Sequence, residues 1–293
     1  MGPEPVVKSV GIAIGVLLLA AAAAPAQTAQ DWVEQGLQQI QQNRLSDASA
    51  AFRQATIVDP RFVQAQYNLG LALRQQGQLQ ESATAFYRAI QADPQFAMAY
   101  VNLGAALLEG GNFSQAREYL GHALTLDPNL GIAHYNLGLI HEYQGDWLGA
   151  IAAFQHATQL SPKAAAAHYH LGIAYQQQQQ SNQALNAFQQ AIQLNPGYTE
   201  AQYNLGTVYF NQGNLDSAMN AFRQAIKINP NYANAYYAAG LVLLRQGNPT
   251  TARETLQQAR QLYLSQNNQL GVNLVDQWLQ RLPAQSEQSA QSE

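Results

Sequence analysis

The chain repeats itself every 34 residues. Glycines stand at Gly36, Gly70, Gly104, Gly138, Gly172, Gly206 and Gly240, and prolines at Pro60, Pro94, Pro128, Pro162, Pro196 and Pro230. Two more columns keep the same phase. One is Ala55, Ala89, Ala123, Ala157, Ala191, Ala225 and Ala259; the other is Phe52, Phe86, Leu120, Phe154, Phe188, Phe222 and Leu256. A fixed period of about 20 to 50 residues marks stacked copies of one small unit. Any fold proposed for this chain must therefore be an array.

Each column has a physical role within the unit. Apolar residues such as Tyr203, Leu205, Tyr209 and Phe210 fall at helical spacing. The column glycine then lies inside a first helix, where it costs about 1 kcal/mol relative to alanine. Close packing of a second helix offsets that cost, and the small column Ala48, Ser82, Ala116, Ala150, Ala184, Ala218 and Ala252 fits the same contact. Gly77, Gly111, Gly145, Gly213 and Gly247 follow the mid-helix glycines at the expected helix end, where a residue with φ > 0 closes the helix. The second helix runs to the proline column. Asp59, Asp93, Asp127, Ser161, Asn195 and Asn229 precede the prolines; the pre-proline position is pushed out of the helical region, and these residue types are expected to cap the next helix. The unit is helix, turn, helix, proline turn. It buries its faces only by stacking on its neighbours.

The segments Ala65-Gln66-Tyr67-Asn68-Leu69-Gly70 and Ala201-Gln202-Tyr203-Asn204-Leu205-Gly206, with Asp93-Pro94 and Asp127-Pro128 closing repeats, resemble the tetratricopeptide repeat family. The resemblance covers residues 29 to 266 and implies an all-α, right-handed α-solenoid of seven repeats, at 29–62, 63–96, 97–130, 131–164, 165–198, 199–232 and 233–266. Departures fall at the ends, with Gln35 where Leu69 stands in the second repeat, Ala238-Ala239 for Asn-Leu, and Leu264 for the last proline. Residues 267–282 are read as a capping helix, with Leu270, Leu274, Val275, Trp278, Leu279 and Leu282 as its apolar stripe. The polar, Gln/Ser-rich residues 283–293 are expected to be disordered.

The N-terminus carries its own signal. Lys8 precedes an unbroken run of apolar or small residues from Val10 to Ala24, and Ala24-Pro25-Ala26 has a small-x-small exit. Residues 1–26 are thus read as a cleaved secretory signal peptide. The run spans about 22 Å as a helix, against a bilayer core of roughly 30 Å; a retained membrane anchor is the alternative. Both readings place the repeats outside the cytoplasm, periplasmic or secreted in the first case and membrane-anchored in the second.

Composition narrows the function. Charged residues make up only 11% and the net charge is −4, against roughly 25% charged in a typical domain. No Lys/Arg cluster supplies the footprint of a nucleic-acid binder. The absence of cysteine excludes disulfides and thiolate chemistry. No phosphate loop, nucleophile elbow or dinucleotide fingerprint occurs. His141-Glu142 begins a zinc-protease pattern, but Gly145 stands where the second histidine belongs. His134, His168 and His170 supply too few convergent ligands for a metal. The chain is read as a non-enzyme with no cofactor and no metal.

The family resemblance implies that first helices line a concave face, at positions three before and one after the column glycine. The earlier position reads Val33, Tyr67, Val101, Tyr135, Tyr169, Tyr203 and Tyr237; the later reads Leu37, Leu71, Ala105, Leu139, Ile173, Thr207 and Leu241. Tyr67, Leu71, Tyr135, Leu139, Tyr169, Ile173, Tyr203, Thr207, Tyr237 and Leu241 are the candidate groove residues. Tyrosine there either touches a ligand or packs between hairpins, and sequence leaves both open. The expected function is a protein-interaction scaffold that holds a helix or extended segment of a partner protein. A carbohydrate-binding role in envelope or polysaccharide export is the alternative, with tyrosine rings stacking on a glycan.

Overall fold

The computed structural model describes residues 27–282. The signal or anchor segment 1–26 and the tail 283–293 lie outside the described residues. Among those described there are fifteen α-helices, and none is long and apolar enough to cross a membrane. Fourteen pair into seven hairpins: α1 (Ala29–Gln41) with α2 (Leu45–Val58), α3 (Val63–Gln75) with α4 (Leu79–Ala92), α5 (Ala97–Glu109) with α6 (Phe113–Leu126), α7 (Gly131–Tyr143) with α8 (Trp147–Leu160), α9 (Ala165–Gln177) with α10 (Ser181–Leu194), α11 (Thr199–Asn211) with α12 (Leu215–Ile228), and α13 (Ala233–Arg245) with α14 (Pro249–Ser265). The last helix is α15 (Gln269–Arg281).

The core is a spine of large second-helix side chains, five phenylalanines and two leucines, seated on first-helix glycines. Phe52, Phe86, Leu120, Phe154, Phe188, Phe222 and Leu256 are buried. A Cβ placed on Gly36 would lie 2.4 Å from the Phe52 ring, and one on Gly172 would lie 2.6 Å from Phe188. The glycine column thus clears space for a ring. The small column sits close beside it, and Ser82 Oγ donates to the Gly70 carbonyl at 2.8 Å.

Each hairpin turns through one left-handed residue. Glycine supplies it in five repeats, with φ between 72° and 78°; Asn43 and Gln179 supply it in the first and fifth. Gln179 bears a Cβ strain that glycine avoids.

Two expectations are corrected. The pre-proline residues do not cap the following helices. Asp59, Asp93 and Asp127 end the preceding ones, and each accepts through Oδ1 from the N–H two residues on, at 2.9, 3.0 and 2.9 Å. The N-cap positions are Phe62, Phe96 and Leu130, without side-chain caps. The proline turn puts the acidic residue three positions too early, so it stabilises the turn instead.

The second correction concerns the capping helix. Of the expected stripe, Val275 is buried and Trp278, Leu279 and Leu282 pack against the last core cluster, joined by Gly271 and Val272, but Leu270 is 78% and Leu274 48% exposed. At about 100° per residue, Leu270 and Leu274 lie at the exposed edge of the stripe. Arg260 fixes the helix by pairing with Asp276 at 2.6 Å. Leu264 in place of a proline lets α14 run to 17 residues, where α12 has 14.

Successive first helices touch: α1 with α3, α3 with α5, α5 with α7, and onward to α13. These contacts put the first helices on the inside of the curve.

Candidate functional site: the inner face of the array

The inner face is a ladder of tyrosines tied from one repeat to the next. All ten candidate residues lie along first helices. Leu71 is exposed and the other nine are half-buried.

The tyrosine rings do packing work. Tyr67 sits between Phe86 of its own hairpin (5.7 Å between centroids) and Phe96 of the next proline turn (4.8 Å). Tyr169 sits likewise between Phe188 (6.0 Å) and Tyr198 (4.7 Å), and Tyr203 between Phe222 (5.8 Å) and Tyr232 (5.5 Å). Tilted aromatic contacts of this kind add about 0.5–1.5 kcal/mol beyond area burial. Burial pushes the phenols of Tyr67, Tyr135 and Tyr203 above their ordinary range, and that of Tyr169 up to about 12, with Tyr232 and Glu200 adding to the effect.

Asparagines form the rungs. Asn102 Nδ2 donates to Tyr67 Oη at 3.0 Å, and Asn204 Nδ2 to Tyr169 Oη at 3.2 Å, each from the next repeat. Arg74 donates to Asn102 Oδ1 at 3.2 Å and pairs with Glu109 at 2.6 Å. At the far end Trp278 Nε1 of the capping helix donates to Tyr237 Oη at 3.2 Å. Sequence reasoning missed these rungs. The Asn column was visible at Asn68, Asn102, Asn136 and Asn204, but not its reach of 35 residues back to a tyrosine.

His170 replaces asparagine in the fifth repeat. Its Nδ1 lies 2.9 Å from Glu142 Oε2, and its ring stacks on Phe154 and meets Tyr135 and Tyr169 edge-on. Among the described residues no three His, Cys, Asp or Glu side chains converge as a metal site would require.

Profiles described as tetratricopeptide repeat match residues 33–97, 73–137, 176–222 and 234–263, and one described as TPR repeat matches 143–179 and 206–247. Together they take in well over half the chain. The chain belongs to the tetratricopeptide repeat (TPR) family. No curated protein matches it significantly. Solved structures show the same TPR fold. The APC/C hetero-tetramer Cut9-Hcn1 aligns with a TM-score of 0.65 at 23% identity, over 74% of this chain and 43% of that one. The chain therefore spans less than half the length of that relative. YrrB, described as a TPR protein with an unusual peptide-binding site, aligns with a TM-score of 0.58 at 27% identity over 67% of this chain and 99% of its own. A tetratricopeptide repeat protein from Parabacteroides merdae aligns at 0.62 and 19% identity over 85% and 99%.

Proposed function

We propose that this TPR protein is a non-catalytic scaffold whose inner face holds a helix or extended segment of a partner protein. The observation that carries the reading is how the tyrosines are used. The rings of Tyr67, Tyr169 and Tyr203 are flanked by aromatic neighbours, so their faces are not free to stack on sugar rings. What the face presents is Leu71, Leu139, Ile173, Thr207 and Leu241 with phenol edges between them. That mixture suits alternating apolar side chains and polar backbone, and the carbohydrate reading stands second. YrrB, similar in fold at 27% identity and described as having a peptide-binding site, supports the same choice. The N-terminal signal supports action in an exported compartment, periplasmic or secreted, or anchored there by the segment 1–26.

The test is capture of a partner from exported and membrane fractions by the chain and by Leu71→Asp/Leu241→Asp. Both leucines lie outside the buried clusters, so helix content should hold, while a buried carboxylate opposes an apolar ligand. A specific protein held by the wild type and lost by the variant supports the scaffold. Glycan without a specific protein overturns it in favour of carbohydrate.

A further inference from the structure

Val33 stands at the end of the ladder; within the array the ladder is broken in the third repeat. Val101 and Ala105 stand where the fourth repeat has Tyr135 and Leu139. Both are buried, at 2% and 3% exposure, and the missing bulk leaves a cavity of about 500 Å³ between α5 and α7 that opens on the inner face. That is within the roughly 300–1,000 Å³ of ligand pockets. Val101, Ala105 and Leu108 form one wall, and Tyr135, Asn136 and Leu139 the other.

The same substitution leaves a side-chain amide facing the cavity without the tyrosine partner its counterparts have. Asn102 and Asn204 each bond the tyrosine hydroxyl of the preceding repeat. Asn136 holds the equivalent place, but its predecessor is Val101, which has no hydroxyl. Asn136 lines the cavity and, among the described residues, its side chain makes no hydrogen bond; its amide atoms are not sealed from solvent but face the open cavity. Among the described residues lining the cavity, the charged ones are Arg74 and Glu109, which pair with each other at 2.6 Å.

We propose that this cavity is a specificity pocket for an uncharged peptide segment. One large aliphatic or aromatic side chain of the partner fills the space taken by Tyr and Leu in neighbouring repeats. That residue's own backbone C=O accepts from Asn136 Nδ2 and its own N–H donates to Oδ1, the two pointing to one side of an extended segment. A primary amide both gives and takes a hydrogen bond, and the N–H and C=O of one extended residue supply the matching pair. The walls are apolar and the rim is neutral, so a charged side chain would be desolvated without compensation. The proposal rests on the groove reading and adds a position and a side-chain class to it.

The test titrates N-acetyl-phenylalaninamide, N-acetyl-leucinamide, N-acetyl-alaninamide and N-acetyl-aspartamide against the full chain, following the Asn136 side-chain amide by NMR. The phenylalanine and leucine probes should shift that resonance saturably, and the alanine and aspartate probes should not at the same concentrations. Ala105→Leu restores the bulk of the column and should weaken the phenylalanine probe at least about tenfold, the scale on which a hydrophobic pocket senses added methylenes. Asn136→Leu removes the amide without opening a void and should weaken it similarly, which keeps the test sharp if Ala105→Leu disturbs packing. An unmoved Asn136, equal binding of the aspartate probe, or unchanged affinity in both variants overturns the pocket. The captured partner separates the two readings. Loss on Ala105→Leu supports the pocket; retention there with loss on Leu71→Asp/Leu241→Asp refutes the pocket and leaves the groove standing.

Discussion

Replacing a column glycine by alanine should destabilise this array, although alanine is the better helix former. In Gly206→Ala the new Cβ would lie 2.6 Å from Cε1 of Phe222, where carbon contacts favour about 3.5–4.0 Å. The ring must therefore retreat by about 1 Å, and it is 1% exposed with Ala218 and Met219 packed around it. Overpacking on this scale costs about 1–3 kcal/mol, set against about 1 kcal/mol of helix propensity gained. The balance is a loss of about 0–2 kcal/mol, expected in its upper half because the ring has no solvent to move into. Gly121 provides the internal control. It lies within α6, and a Cβ there meets nothing within 4 Å, so Gly121→Ala should gain up to about 1 kcal/mol. Urea denaturation followed by circular dichroism measures both, with an unchanged slope required before midpoints are compared. Wild-type stability in Gly206→Ala, or a greater loss in Gly121→Ala, would refute the close-approach account of the column.

Other expectations follow from the same geometry. Gln179→Gly should stabilise the fifth repeat by about 1 kcal/mol, because φ is 57° there; a lower urea midpoint would contradict the strain. The rung from Asn102 to Tyr67 should show a coupling of about 0.5–1.5 kcal/mol in a double-mutant cycle of Tyr67→Phe and Asn102→Ala, and zero coupling would remove it from the account. Tyr169 keeps its proton up to about pH 12 in the folded chain, against 10.0 ordinarily. Its raised value contributes stability fully below pH 10, and that stability is lost as pH rises toward 12, since the unfolded chain releases the proton first. Tyr169→Phe should blunt the fall in urea midpoint over that interval, and an identical fall in both proteins would assign it to other groups.

Much of this was legible in the columns. Glycine, alanine and phenylalanine at a fixed period determine a hairpin, and their burial follows from the helix period. The acidic pre-proline residues misled because Asp and Asn serve helix caps and proline turns alike, and only the backbone path decides between them. The stripe on α15 was placed too far to one side because its six apolar residues span about half the helix circumference, wider than the buried face, and Leu270 and Leu274 fall on the exposed edge. The double role of the tyrosines was out of reach for another reason. It depends on residues from adjacent repeats, such as Phe96 on Tyr67 and Asn102 on its hydroxyl. Val101 and Ala105 were visible as departures from their columns; that they open a cavity beside an unpaired Asn136 needed the packing of α5 against α7.

The most direct test of the central claim is site-specific photo-crosslinking of the full chain in its own compartment. A photoreactive phenylalanine analogue would be placed at Leu71 on the inner face, and in separate proteins at Ile57 and Leu148 on second helices, where exposure is 64% and 66%. A discrete adduct from position 71, absent from positions 57 and 148, is the outcome expected of a partner held in the groove. Adducts from 57 or 148 with none from 71 would place binding on the outer surface and contradict the account.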